Sequence, residues 1–153
     1  MHPVFQLHAF LDSLAVANDA NHERVIEEKR DQAISVAEFL FGSAMVSAAL
    51  MLLDNSGSFT RISSPHRSLW LIRGSNDLTY MCFACHETPD LYYCSCRSYL
   101  EKMTKKPTEE EGLPELCKHL LALKLIPVLR IEAVEVTVPD KDFAKLVLER
   151  TLK

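Results

Sequence analysis

Glycine is scarce in this chain. The 153 residues include four, Gly42, Gly57, Gly74 and Gly112, and none belongs to a G-x-x-x-x-G-K-[ST] segment. A backbone cradle for ATP phosphates of that kind needs closely spaced glycines beside a lysine, so it is excluded. Positive charge is not in excess either. Against 17 Lys and Arg stand 21 Asp and Glu, a formal net charge of −4. A domain that binds nucleic acid by itself usually carries a clear basic surplus, and this chain as a whole does not. No uninterrupted apolar run approaches the roughly 18 residues that span a membrane. The N-terminal stretch shows no basic segment followed by an apolar one and a small-residue cleavage pattern, so secretory targeting is not expected.

What is present fits an ordinary folded domain. Apolar residues make up 48% and charged residues 25%, a balance that excludes disorder over the whole length. The length suits one domain with a core of useful size. Five cysteines stand out: Cys82, Cys85, Cys94, Cys96 and Cys117. Their number is odd and no targeting signal accompanies them, so a reducing compartment is expected. In such a compartment clustered cysteines are metal ligands more often than disulfides.

Hydrophobic periodicity divides the chain into three regions within one compact unit: residues 1–54, 55–127 and 128–153. The first reads as helices. Val4, Leu7, Leu11 and Leu14 recur at helical spacing, a polar "NDANHER" stretch breaks the pattern, and a second helical run extends from about Val25 to Leu53. Gly42 sits inside that run and marks a kink or a break. The middle region reads as a small antiparallel sheet, with "SFTRISS", "SLWLIRG", "LTYMCFAC" and "DLYYCSC" as strands and "SPHR" and "GSND" as turns. Residues 101–113 read as an exposed polar loop. "PELCKHLLALKLI" returns to helical spacing and Pro127 is expected to end it. "IEAVEVTV" reads as a short strand, and a last helix starts with Pro139 and Asp140 in its first turn. The fold class expected is α+β, with N-terminal helices, a small antiparallel sheet that carries most of the cysteines, and C-terminal helices.

The chemistry is concentrated in two short motifs. Cys94 and Cys96 form C-x-C, and on an extended chain residues two apart fall on one face. They are badly placed to form a disulfide with each other. Cys117 and His119 form C-x-H, giving C-x-C-x20-C-x-H in all. Three thiolates and one imidazole suit tetrahedral zinc. Residues i and i+2 of a regular helix point about 200° apart, so Cys117 and His119 share a metal only if the regular helix begins near Cys117. The helix amides there would support thiolate charge. Arg97 and Lys118 lie inside the motifs, and solvation is the expected state of both. Cys82, Cys85 and His86, in "CFACH", could also contribute ligands, but read more naturally as a strand cysteine and loop residues outside the set.

The ligand pattern is the signature of the SWIM zinc finger, and the likeness runs further. "FLFGSAMVSAALMLLD", "ISSP", the "GS" turn before "TYMCF", "YYCSC" and "LCKHLLAL" occur in an order that resembles the SWIM-domain subunit of the Shu complex, over about residues 37–125. The resemblance implies that Cys94, Cys96, Cys117 and His119 hold one structural zinc ion, and that Ala122 occupies a position for close packing behind the site. It implies a nuclear protein in an obligate heterodimer with a RecA-like recombinase paralogue. That pair would promote assembly of the recombinase filament on single-stranded DNA during homologous recombination, with DNA contact indirect. The family often carries proline and small residues after the C-x-C; here Arg97 and Ser98 precede Tyr99.

Four good ligands describe a closed site, whereas a catalytic zinc keeps an open position. No catalytic and no organic-cofactor-binding residues are expected, and the chain reads as a non-enzymatic adaptor. The other reading is an autonomous zinc-dependent module for single-stranded DNA, with Lys102, Lys105 and Lys106 around a stacking Tyr99. Adaptor function is favoured by the segment around Phe39, Leu40, Phe41, Met45, Leu50 and Leu53, apolar nearly all round, which one helix cannot bury entirely in its own core.

Overall fold

Gly42 sets the first bend of the structure. Its φ of 83° and ψ of 149° lie in a region that is essentially closed to residues with a Cβ. The helical run therefore divides into α1 (Glu23–Phe41) and α2 (Ser43–Leu53). The Gly42 amide still donates to the Glu38 carbonyl at 2.8 Å, and its carbonyl accepts from Val46 at 3.2 Å, so the glycine closes one helix and opens the next. The computed structural model describes residues 9–10, 23–55, 57–74, 77–84, 92–104 and 116–151. Residues 9–10 are helical, and the rest of the first expected helix lies outside the described residues.

Among the described residues five strands follow: β1 (Phe59–Ser64), β2 (Arg67–Arg73), β3 (Thr79–Ala84), β4 (Tyr92–Cys94) and β5 (Val134–Thr137). They form one sheet in the order β4-β3-β2-β1-β5. The first four are antiparallel, with Ile62 opposite Leu69, Trp70 opposite Cys82 and Cys82 opposite Cys94. The sheet is mixed rather than wholly antiparallel, because β5 joins β1 in parallel, Ile62 beside Val136. A parallel neighbour needs a crossover connection, and between β4 and β5 the described residues form two helices. These are α3 (Arg97–Thr104) and α4 (Lys118–Leu129); a last helix, α5 (Asp140–Thr151), follows β5.

The two faces of the sheet carry separate clusters. On one, Phe59, Ile72, Cys82 and Cys94 pack with the buried residues of α1, α2 and α4. On the other, Ile62, Leu69 and Met81 pack with Phe143 of α5. The central element is α4. Every residue from His119 to Ile126 is buried, the pattern of a helix surrounded by protein on all sides. Pro127 does not end it. The proline is exposed and forgoes one helical hydrogen bond, but the helix continues to Leu129 and closes at Arg130 with φ 53°. Ile131 then donates back to the Ile126 carbonyl at 3.1 Å. Arg30 Nη2 of α1 donates to the Leu129 carbonyl at 2.8 Å, placing a cation at the negative end of the helix dipole.

Residues 97–104 correct a third expectation. The segment read as exposed loop from residue 101 is the end of α3, and residues 105–115 lie outside the described residues. Among the described residues no helix is long and apolar enough to cross a membrane.

Candidate metal centre

Four donor residues arrive at one point from three elements. β4 pairs antiparallel with β3, so Cys94 shares a sheet face with Cys82 and looks toward α4. The ladder ends one residue later, where Ser95 N donates to the Met81 carbonyl at 3.0 Å and Ser95 Oγ accepts from Met81 N at 2.9 Å. The chain then turns into α3, and Cys96 opens that helix: its carbonyl accepts from the Leu100 amide at 3.1 Å, and its Sγ lies 3.4 Å from the Tyr99 amide that donates to it. Cys117 stands just before α4 with φ −98° and ψ 168°, and its carbonyl accepts from Leu121 at 3.0 Å. The extended backbone at Cys117 removes the 200° divergence of a regular helix, so its thiol and the imidazole of His119 converge.

One ligand atom from each of Cys94, Cys96, Cys117 and His119 lies within 4.8 Å of all the others. None of the four residues is more than 4% exposed. Zinc–sulfur bonds near 2.3 Å in a tetrahedron would set the sulfurs about 3.8 Å apart, a modest contraction of this cluster. His119 supplies a direct test of fit. Its Nδ1 is 3.7 Å from Cys94 Sγ, a weak contact, and its Nε2 is buried without a hydrogen-bond partner. A buried imidazole with neither nitrogen in a normal hydrogen bond is costly, and metal ligation resolves that cost. The Tyr80 ring lies against the imidazole, centroids 4.4 Å apart.

The thiols do not behave alike. Hydrogen bonding from Cys117 and Cys94 holds the Cys96 thiol far below the ordinary thiol range, with the Tyr99 amide adding to the effect. The Cys117 thiol is pushed up by its bonds to Cys94 and Cys96 and by burial. Cys94 is drawn down by Cys117, but Cys82, Cys96 and burial together carry it well above the ordinary range. Three neighbouring thiols in a low-dielectric interior cannot all ionise without a cation. The site therefore favours one thiolate alone and three with a divalent metal. Two helix N-termini face the cluster, at Cys96 and Cys117, which suits that negative charge.

Around the donors, several residues hold the two halves together. Lys102 Nζ of α3 donates to the Leu116 carbonyl at 3.1 Å, joining the C-x-C helix to the residue before Cys117. Tyr99 is buried and its hydroxyl donates to the Tyr92 carbonyl. Lys124, inside buried α4, donates to the Tyr92 hydroxyl and lies over that ring, 4.2 Å from its centroid. Ala122 is fully buried, as close packing behind the site requires.

These contacts correct the stacking-platform reading. The Tyr99 ring is buried edge-on to Tyr93 at 6.1 Å, so no base can stack on it, and Lys102 is engaged by backbone. Lys105 and Lys106 lie outside the described residues. Arg97 is exposed and paired with Glu101 at 2.6 Å, the solvated role expected of it. Cys85 and His86 lie outside the described residues. Cys82 does not join the four-atom cluster, yet its Sγ is 3.4 Å from that of Cys94. The sequence does hint at Lys124, a lone cation within the apolar run "LALKLI"; Lys102 offered no comparable signal.

No family model matches the chain, and no solved structure matches it. Two mammalian proteins do. The zinc finger SWIM domain-containing protein 7 of Mus musculus is 38% identical over 123 residues, 79% of this chain and 72% of that protein. The protein of the same name from Homo sapiens is 37% identical over 120 residues, 77% of this chain and 76% of that protein. With a buried Cys₃His cluster at the SWIM spacing and that similarity over most of both chains, this protein belongs to the family of zinc finger SWIM domain-containing protein 7.

Proposed function

We infer that this chain is a non-enzymatic adaptor built around one structural zinc ion, held by Cys94, Cys96, Cys117 and His119. The observation that carries this reading is the closure of the site. All four donors are buried and they come from both sides of the sheet–helix junction. A metal with four protein ligands offers no position to a substrate. Its work there is to tie β4 and α3 to the start of α4.

The adaptor pairs with a RecA-like recombinase paralogue, which carries the ATP site, and the two assist recombinase filaments on single-stranded DNA in the nucleus. This finer reading is supported by the resemblance of residues 37–125 to the SWIM-domain subunit of the Shu complex. It is also supported by apolar side chains left at the surface of the first two helices, where Phe39 is 89% and Met51 74% exposed. Isolated exposure of such large side chains is common, but two on consecutive helices suit a partner surface.

Elemental mass spectrometry on purified protein tests the metal, and co-purification with co-expressed RecA-like paralogues tests the adaptor role. About one zinc per chain in the wild type, sharply reduced in His119→Ala, is the expected result. Cys117→Ser should lose both the fold around α4 and the partner. A folded wild type without zinc, or a Cys117→Ser protein that keeps fold and partner, overturns the reading.

A further inference from the structure

Among the described residues, Cys82 is the one buried thiol beside the cluster that the metal does not need. It is fully buried, directly opposite Cys94 on the neighbouring strand, and its Sγ is 3.4 Å from that of Cys94. The register adds a constraint. Ser95 N donates to the Met81 carbonyl, which makes Met81 and Ser95 a hydrogen-bonded pair. Alternation along an antiparallel ladder then makes Cys82 and Cys94 a non-hydrogen-bonded pair, the kind whose Cα atoms stand about 4.5 Å apart with side chains closest. That separation falls within the range of about 4.4–6.8 Å that a disulfide spans. β4 is three residues long and is the outer strand of the described sheet. Short outer strands open locally at low cost, which gives a small oxidant a route to both sulfurs.

We propose that Cys82 is the resolving thiol of a redox site, joining Cys94 in a disulfide that removes Cys94 from the metal cluster. The oxidant is a peroxide. The Cys94 thiolate sulfur attacks one peroxide oxygen, the O–O bond breaks, and hydroxide leaves, giving a sulfenic acid. Cys82 Sγ then attacks that sulfur, the S–O bond breaks and the oxygen leaves as water with the Cys82 proton. The two sulfurs lose two electrons in all and the peroxide takes up both. The neighbouring thiol captures the sulfenic acid before a second peroxide can carry it to the irreversible sulfinic state. A cysteine at position 82 therefore makes oxidation of the site reversible by a dithiol.

The inference rests on the zinc-site reading for its metal consequence but not for the bond itself. Zinc-loaded protein is treated with hydrogen peroxide. Released zinc is followed with a chromogenic chelator, and non-reducing digests are mapped by mass spectrometry. The expected product is a peptide pair joined through Cys82 and Cys94, two hydrogens lighter, formed in step with zinc release and reversed by dithiothreitol. In Cys82→Ala, release becomes irreversible and Cys94 is recovered as sulfinic or sulfonic acid. A wild-type map that joins Cys94 to Cys96 or Cys117, or an alanine variant that recovers as fully as the wild type, overturns the proposal. Protein that binds no zinc but forms the Cys82–Cys94 bond refutes the metal reading and leaves the thiol pair standing. If the alanine variant does not fold, the wild-type map alone decides.

Discussion

Cys117 shows how far a single residue could be read from spacing. Two donors at i and i+2 cannot share a metal in a regular helix, so the helix had to begin beside Cys117, and its extended backbone agrees. Tyr99 shows the opposite case. An aromatic next to three lysines suggests a stacking surface, but the ring is buried because α3, invisible in the polar composition of residues 101–113, turns it inward. The charge state of the donors leads to a pH prediction. In the metal-free protein Cys94 and Cys117 are both pushed upward, so both carry protons at neutral pH. Zinc binds their thiolates and must displace those protons. Affinity should therefore rise with pH and fall on acidification. Calorimetric titration of zinc in buffers of different ionisation enthalpy should show proton release; binding that takes up no buffer-dependent heat would show that the thiols are already ionised.

Two predictions belong to the elements. Nothing lies within 4 Å of a Cβ placed on Gly42, so any cost of Gly42→Ala comes from the backbone alone. At φ 83° that cost should be about 1–3 kcal/mol, seen as a lower thermal midpoint with the fold unchanged. A neutral result would mean that α1 and α2 relax into one continuous helix. The break itself was legible, since glycine in an apolar helical run is a plain signal. The mixed sheet was not: four strands announce their hairpins locally, whereas the place of β5 beside β1 depends on a long route through α3 and α4. The second prediction concerns α3. Lys102→Ala removes the bond to the Leu116 carbonyl that ties α3 to the start of α4. A charge-assisted bond at a half-buried position is worth about 1–2 kcal/mol. Chelator-driven zinc loss should quicken roughly tenfold, with the secondary structure retained. Unchanged release would make Lys102 a surface charge and nothing more.

At the scale of the molecule, α4 is the element on which the rest depends. It is buried on all sides from His119 to Ile126, its first turn carries His119, Cys117 stands just before it, and its Leu129 carbonyl meets Arg30 from α1. Pro127 was expected to end it and does not, because a single missing amide at one exposed position is outweighed by burial of the rest of the helix, Val128 and Leu129 included. The core of α4 contributes independently of metal: Leu121→Ala should cost about 2–5 kcal/mol through transfer and cavity terms. The zinc contribution is of another kind, because it joins chain segments distant in sequence. Chelation should therefore do more than empty a surface site. With three thiols in a buried cluster and no cation, the start of α4 and the end of β4 no longer hold each other, and the packing of Tyr80, Tyr92 and Tyr99 around them loosens. Treatment of the wild type with a strong chelator should lower the thermal midpoint and erase near-ultraviolet circular dichroism, and zinc, but not magnesium, should restore both. In Leu121→Ala the midpoint should start lower while the chelator-induced drop persists. If chelation leaves the wild-type midpoint and aromatic signal unchanged, the hydrophobic contacts of α4 alone hold the fold, and the four donors are dispensable to its stability.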